Sequence, residues 1–299
     1  MGTADPPPLR PLSAASRMKM HLRLLTINGY TYRIVTLRPG TEVVFSTNFF
    51  HGTWHIVTSQ RGARLLARLL WGLAYERHPG TLILVHGDHL APTPFEGERS
   101  VPFILAQTGL APLDSSALRI LKQRLPRLGA PTRTLRWNTF GLDKAIDPDR
   151  STPERDSRRL RWKENELLWK QERMQRIGGF ICYSAPPSIL REQSRMVHRL
   201  RTGRPNYDRD MDYHFLAGES SNHSWYGDGE VQIFADYMDR VHAANAARRE
   251  LVDNPNQAII SESVQENISR LRDRIKSACK FRKRHRIARG KLFRVSQAM

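Results

Sequence analysis

Cysteine is almost missing from this 299-residue chain, with Cys182 and Cys279 its only two, in different segments. Two distant thiols exclude a disulfide framework and suit a reducing, cytoplasmic compartment. Long apolar runs are missing as well. The richest stretch, residues 65–75, is interrupted by Arg68 and flanked by further arginines, so no run reaches the length of a membrane span. The N-terminus lacks an apolar signal core; residues 4–12 are Pro-rich, and residues 1–18 read as a disordered N-terminus, with Met18 and Met20 as alternative starts. No G-x-x-x-x-G-K-[ST] occurs, and no G-x-G-x-x-G follows a strand, which disfavours nucleotide chemistry of those two types. Lysine is scarce too, at 9 residues against 39 arginines.

What is abundant is positive charge. The formal net charge is +19 and the pI about 10.7, which makes polyanions the natural partner class. A GC-rich gene accounts for arginine over lysine, but not for the excess of bases over acids. That excess is also sorted along the chain. Residues 274–299 hold ten Lys or Arg and no acid, whereas residues 206–262 hold eleven acids and four arginines. Neutralising phosphates needs no fixed geometry, so composition alone is informative here. The expected nucleic-acid-binding residues are Lys276, Lys280, Arg282, Lys283, Arg284, Arg286, Arg289 and Lys291, with Phe281 and Phe293 interleaved for stacking on bases. No zinc-finger or RNA-recognition signature accompanies them, so the expected contact is nonspecific. Two competing readings are a solvated tail and a tail docked on the chain's own acidic segment.

The strongest local signal lies near the start. Residues 22–27 and 30–35 flank Asn28-Gly29, the preferred pair for a type I′ hairpin turn, and residues 42–46 read as a third strand. Residues 54–58, 59–77 and 81–86 then read as strand, helix and strand, a βαβ unit with a right-handed crossover. In the helix, Ala63, Leu66, Ala67, Leu70 and Ala74 share one face and Leu65, Leu69 and Leu73 fill the other. Arg61, Arg64 and Arg68 form the one polar stripe. A helix so apolar is buried in a layered domain. Ser59 is its expected N-cap and His78-Pro79-Gly80 its stop. Residues 81–85 are a continuous apolar run, as in an interior strand. Strands at 101–107 and 132–138 and a helix from Asp114 or Ser115 to Arg127 follow.

The fold class is thus α/β or α+β: an N-terminal antiparallel meander plus a βαβ layered sheet over residues 19–145, then a mainly helical region, 151–273, and the basic tail, 274–299. Within the second half, residues 153–176 read as a charged helix with Leu160, Leu167 and Met174 at sevenfold spacing, a surface for a protein partner or a second copy. Residues 180–183 read as a strand, and 188–200 and 230–252 as helices. A last helix, from about residue 261, is expected to bury Val264, Ile268, Leu271, Ile275 and Ala278.

Two sets of residues suit a divalent metal. His86, Asp88 and His89 follow the 81–85 strand, where ligands of open α/β sheets sit, and imidazole with carboxylate suits zinc, manganese or iron. His51 and His55 precede their own strand, so parallel pairing puts them at the opposite end. The run Leu84-Val85-His86-Gly87 is similar to the oxyanion strand of α/β-hydrolases, but no G-x-S-x-G elbow accompanies it, so a serine hydrolase is disfavoured. The second set is Asp208, Asp210, Asp212 and His214, which share one face if the segment is a strand and then suit magnesium or manganese at a phosphoester. With Glu219 the acids also match a calcium-loop spacing, except that Tyr213 stands where glycine is needed. The plain alternatives are surface loop histidines and an acidic loop paired with nearby arginines. The first functional expectation is a cytoplasmic protein gripping the nucleic-acid backbone. The others are a metal-dependent hydrolase of the phosphoesterase or nuclease type, and a protein-interaction module.

Overall fold

Asn28 and Gly29 both adopt left-handed backbone, with φ of 51° and 76°, and fold β1 (Arg17–Ile27) back on β2 (Tyr30–Thr36) in antiparallel register, Ile27 opposite Tyr30. This is the turn that the Asn-Gly pair predicts. The computed structural model describes residues 17–146, 166–203, 210–217, 229–253 and 270–280. A second tight hairpin joins β3 (Phe45–Phe50) to β4 (Thr53–Thr58) through His51 and Gly52, again at positive φ. The third strand therefore lies at 45–50, not 42–46. Its turn was hidden because His-Gly is not one of the usual hairpin pairs, although histidine enters the left-handed region more readily than most residues.

Helix α1 (Gln60–Ala74) begins as expected: the Ser59 hydroxyl accepts from the Gly62 amide at 3.2 Å. It leads to β5 (Thr81–Val85), buried throughout. β6 (Phe103–Gln107), α2 (Ser115–Arg124, capped by Asp114) and β7 (Arg133–Asn138) follow. Beyond them come β8 (Arg173–Ile177), β9 (Phe180–Ala185), α3 (Pro187–His198), β10 (Met211–Leu216), β11 (Gly229–Phe234) and α4 (Tyr237–Asp253).

The strands form two mixed sheets. The large one has the order β7-β1-β2-β5-β6-β9-β8, with β2–β5 and β6–β9 parallel; the small one has the order β10-β11-β4-β3, with β11–β4 parallel. One face of the large sheet is covered by α2, whose Leu118 and Leu121 join Ile34, Leu82, Leu84, Ile104 and Phe180. On the opposite face α1 and α3 pack together, in one apolar cluster with the inner residues of the small sheet, Ile56, Val231 and Ile233. Full burial of each such side chain contributes about 1.5–3 kcal/mol, so a helix apolar on nearly every side is held here and nowhere more exposed. Trp137 of β7 lies against Gly72, where a Cβ would come within 2.2 Å of its indole nitrogen. That indole donates to the Arg68 carbonyl at 3.2 Å, fixing α1 to the sheet edge.

Mixed α/β architecture with N-terminal antiparallel strands is as expected, but three details differ. β4 and β5 belong to different sheets, so β4–α1–β5 is a bridge between sheets and not a βαβ unit. The local pattern is the same for both arrangements; only strand pairing distinguishes them. Residues 173–177 are strand β8, not the end of a helix. Its Arg173 and Gln175 are exposed and Met174 buried, an edge-strand alternation that the heptad-like spacing masked. Residues 229–234 are strand β11, with Val231 and Ile233 inward, and helix α4 starts only at Tyr237. The second half, read as mainly helical, thus contributes four strands, and they are built into both sheets.

Candidate nucleic-acid interface

β2 and β5 run parallel, so their carboxyl ends meet at one edge of the large sheet, and His86 follows directly. Leu82 and Leu84 point to the α2 face, so the two-residue period puts His86 on that face too. Arg23 of β1 reaches the same place. Its guanidinium donates to the Thr36 hydroxyl at 2.9 Å and to the Gly129 carbonyl at 3.1 Å. Lys122 of α2 closes the group, its Nζ 5.3 Å from the centre of the Phe180 ring. Arg23, His86 and Lys122 are all half-buried.

The electrostatics follow from that crowding. Burial depresses the pKa of His86 first, then the positive charge of Arg23 and the neighbouring His89, with Asp88 opposing and Lys122 adding to the effect. Lys122 is lowered by burial and then by Arg176, Arg23 by burial, and His21 by burial and then by Arg23 and Arg38. Arg23 and Arg38 thus act on His21, Arg23 and Lys122 on His86, and Arg176 on Lys122, so these bases are coupled in successive pairs. Among the described residues none of them makes an ion pair with a carboxylate. The surrounding fold is no less basic: residues 17–146 carry seventeen Lys or Arg and seven Asp or Glu.

The residues of the two expected metal sets each have their own surroundings. Asp88 is exposed, while His89 is buried with its Nδ1 3.3 Å from the Val43 carbonyl oxygen. Asp210 immediately precedes β10. Asp212 accepts from the backbone amides of Arg201 and Tyr213, at 2.9 and 3.0 Å. His214 shares the inner face of β10 with Asp212 and hydrogen-bonds Gln193 of α3. Asp208 lies outside the described residues. No three His, Cys, Asp or Glu among the described residues are grouped to hold a metal ion. In the basic tail, Lys276 and Lys280 are exposed on the helical residues 270–280, while Leu271 and Ile275 pack on Ala243, Ala244 and Ala247 of α4, as the amphipathic pattern predicts. Arg282, Lys283, Arg284, Arg286, Arg289 and Lys291 lie outside the described residues, as do 153–165 of the expected partner helix.

Sequence reading missed two buried polar groups. Glu172, only 2% exposed, accepts from the Tyr183 hydroxyl at 2.6 Å and from Gln193 Nε2 at 2.8 Å, and Gln193 in turn meets His214. Burial and then the Glu172 carboxylate push the Tyr183 phenol well above its usual range. On the outer face of the small sheet, His55 Nε2 lies 3.5 Å from Glu230, both buried. Burial, then His51, lowers His55 to about 4; burial raises Glu230, opposed by a hydrogen bond from Gln232. Glu172 and Glu230 come from segments with no motif around them, so only the fold brings them to their partners.

Set against family models, curated proteins and solved structures, the chain matches none. No helix among the described residues is long and apolar enough to cross a membrane.

Proposed function

We propose that this is a nucleic-acid-associated protein that grips the phosphate backbone without reading sequence. Contact comes from two places: the line of bases at the carboxyl ends of β2 and β5, and the basic segment 274–299. The observation that carries this reading is the convergence of Arg23, His86 and Lys122 from three distant segments, half-buried and with no paired carboxylate among the described residues. Holding the Arg23 and Lys122 charges near one another costs free energy, a polyanion removes that cost when it binds, and its charge favours protonation of His86 between them. The segment 274–299 adds ten bases to the footprint. Two cysteines in distant segments fit a cytoplasmic site of action.

The test is fluorescence anisotropy of labelled DNA and RNA oligomers with the full-length protein over a salt series. Log affinity should fall linearly with log salt, with a slope of about −0.7 to −0.9 per phosphate contacted. Deleting residues 274–299 should reduce that slope but leave binding by the core. Absence of binding even at low salt would refute the proposal.

A further inference from the structure

The β3–β4 hairpin places an exposed aromatic group at the end of this line of bases. Phe49 and Phe50 are 55% and 50% exposed, the only adjacent pair among the large exposed apolar side chains of the described residues. Alternation along β3 separates them. Phe45 points into the core, so Phe49 shares its face and meets Trp54 of β4, with ring centres 4.8 Å apart. Phe50 points the other way, against His51. Over Trp54, 5.9 Å from its ring centre, stands the guanidinium of Arg176. The ladder Phe49–Trp54–Arg176 therefore begins in the small sheet and ends at the edge strand of the large one. From Arg176 the charge continues round the β8–β9 turn, where Gly178 (φ +57°) leaves no room for a Cβ beside Leu118 and Gly179 lies against Lys122. Lys122, His86 and Arg23 follow on the α2 face.

We infer that this ladder and the line of bases form one track for a single strand of nucleic acid. Its phosphates lie along Arg23, His86, Lys122 and Arg176, and a base stacks on Phe49. The inference rests on the function proposed above and narrows its ligand. A duplex keeps its bases inside and offers nothing to Phe49, whereas unpaired bases present a π-face that an exposed aromatic beside a cation takes without regard to sequence. Charge complementarity chooses nucleic acid over an apolar protein partner, because Phe49 lies on Trp54 and the Arg176 guanidinium stands over that indole.

The test uses full-length protein, a labelled oligo-dT strand and a labelled DNA hairpin duplex, with Phe49→Ala, Phe49→Trp and Phe50→Ala. The expected result is a preference for the single strand that Phe49→Ala weakens about tenfold and Phe49→Trp retains, with duplex affinity unchanged. Phe50→Ala, equally exposed on the opposite face, should stay within about twofold of the parent. Equal affinity for strand and duplex, or equal effects of Phe49→Ala and Phe50→Ala, would overturn the track while leaving nonspecific backbone binding in place. No binding of either polymer at low salt removes both. If Phe49→Ala melts early, Arg176→Gln gives the same comparison from a side chain exposed at the sheet edge, and an unchanged preference for the single strand overturns the track.

Discussion

Two polar regions lie on opposite faces of the large sheet, and they are built by opposite rules. Between the sheets, Glu172, Tyr183 and Gln193 are buried and satisfy one another, donor to acceptor, with half-buried His214 closing the network at its rim. On the α2 face, Arg23, His86 and Lys122 are brought together with no carboxylate in ion-pair contact among the described residues, Asp88 only partly offsetting the charge around His86, at an edge open to solvent. A buried polar group costs free energy unless it is hydrogen-bonded, so evolution of the fold alone produces the first kind of region. It has no reason to produce the second. Internal satisfaction marks a structural site, and on the function proposed above the leftover charge is the surface that takes the ligand.

The largest expected effect breaks the first region. Glu172→Ala strands the Tyr183 hydroxyl and the Gln193 amide in the core, and should cost about 3 kcal/mol in a urea titration. Oligonucleotide affinity of the folded fraction should not change. A loss of affinity without a loss of stability would reverse the roles assigned to the two faces.

Next comes His55, a buried group outside both regions. Its pKa falls from 6.5 in the unfolded chain to about 4 in the fold. Between those values the unfolded state binds the extra proton, so stability is fully present above pH 6.5 and is lost as pH falls towards 4. The loss approaches about 3 kcal/mol at 1.36 kcal/mol per unit. Glu230, raised by burial, acts with the opposite sign just above its ordinary range, so His55→Gln isolates the histidine. Thermal melts of that variant should show a flatter pH dependence than the parent; identical slopes would mean that His55 is not held neutral.

The third effect belongs to the charged edge. Arg23→Gln with Arg176→Gln removes bases from both ends of the line and should lower affinity about tenfold at low salt, with a shallower salt slope by about two phosphates. Stability should fall by about 1–2 kcal/mol, because Arg23→Gln gives up the hydrogen bonds to Thr36 and Gly129 whereas exposed Arg176 contributes little. An unchanged slope would assign the whole electrostatic contact to residues 274–299.

How much of this was legible in the sequence depends on whether the cause was local. Asn28-Gly29, the Ser59 cap, the apolar circumference of α1 and the buried run 81–85 are local causes, and each produced the element it predicts. The position of His86 at a strand's carboxyl end was legible for the same reason. Its partners were not: Arg23 and Lys122 are about a hundred residues apart, and only the pairing of β1, β2 and β5 brings them to one edge. The division of β4 and β5 between two sheets was equally invisible, since β4 finds β11 some 170 residues later. β8 was lost because an edge strand with arginine on its outer face resembles a charged helix in composition.

The smallest effect sharpens the comparison most. Lys122 is half-buried, its pKa lowered by burial and by Arg176, with Phe180 beneath it as a cation–π partner. A cation held in this way contributes little to the fold, because desolvation and like charge offset the ring contact. Lys122→Gln should therefore leave stability within about 0.5 kcal/mol of the parent, and on the favourable side. Affinity for oligonucleotides should nevertheless fall. Glu172→Gln, an equally small change of shape in the satisfied region, should do the reverse: lower stability, with affinity unmoved. Urea midpoints and salt-dependent anisotropy on the same two proteins decide it. If Lys122→Gln destabilises as much as Glu172→Gln, the bases on the α2 face are holding the fold together, and their lack of carboxylate partners says nothing about a ligand.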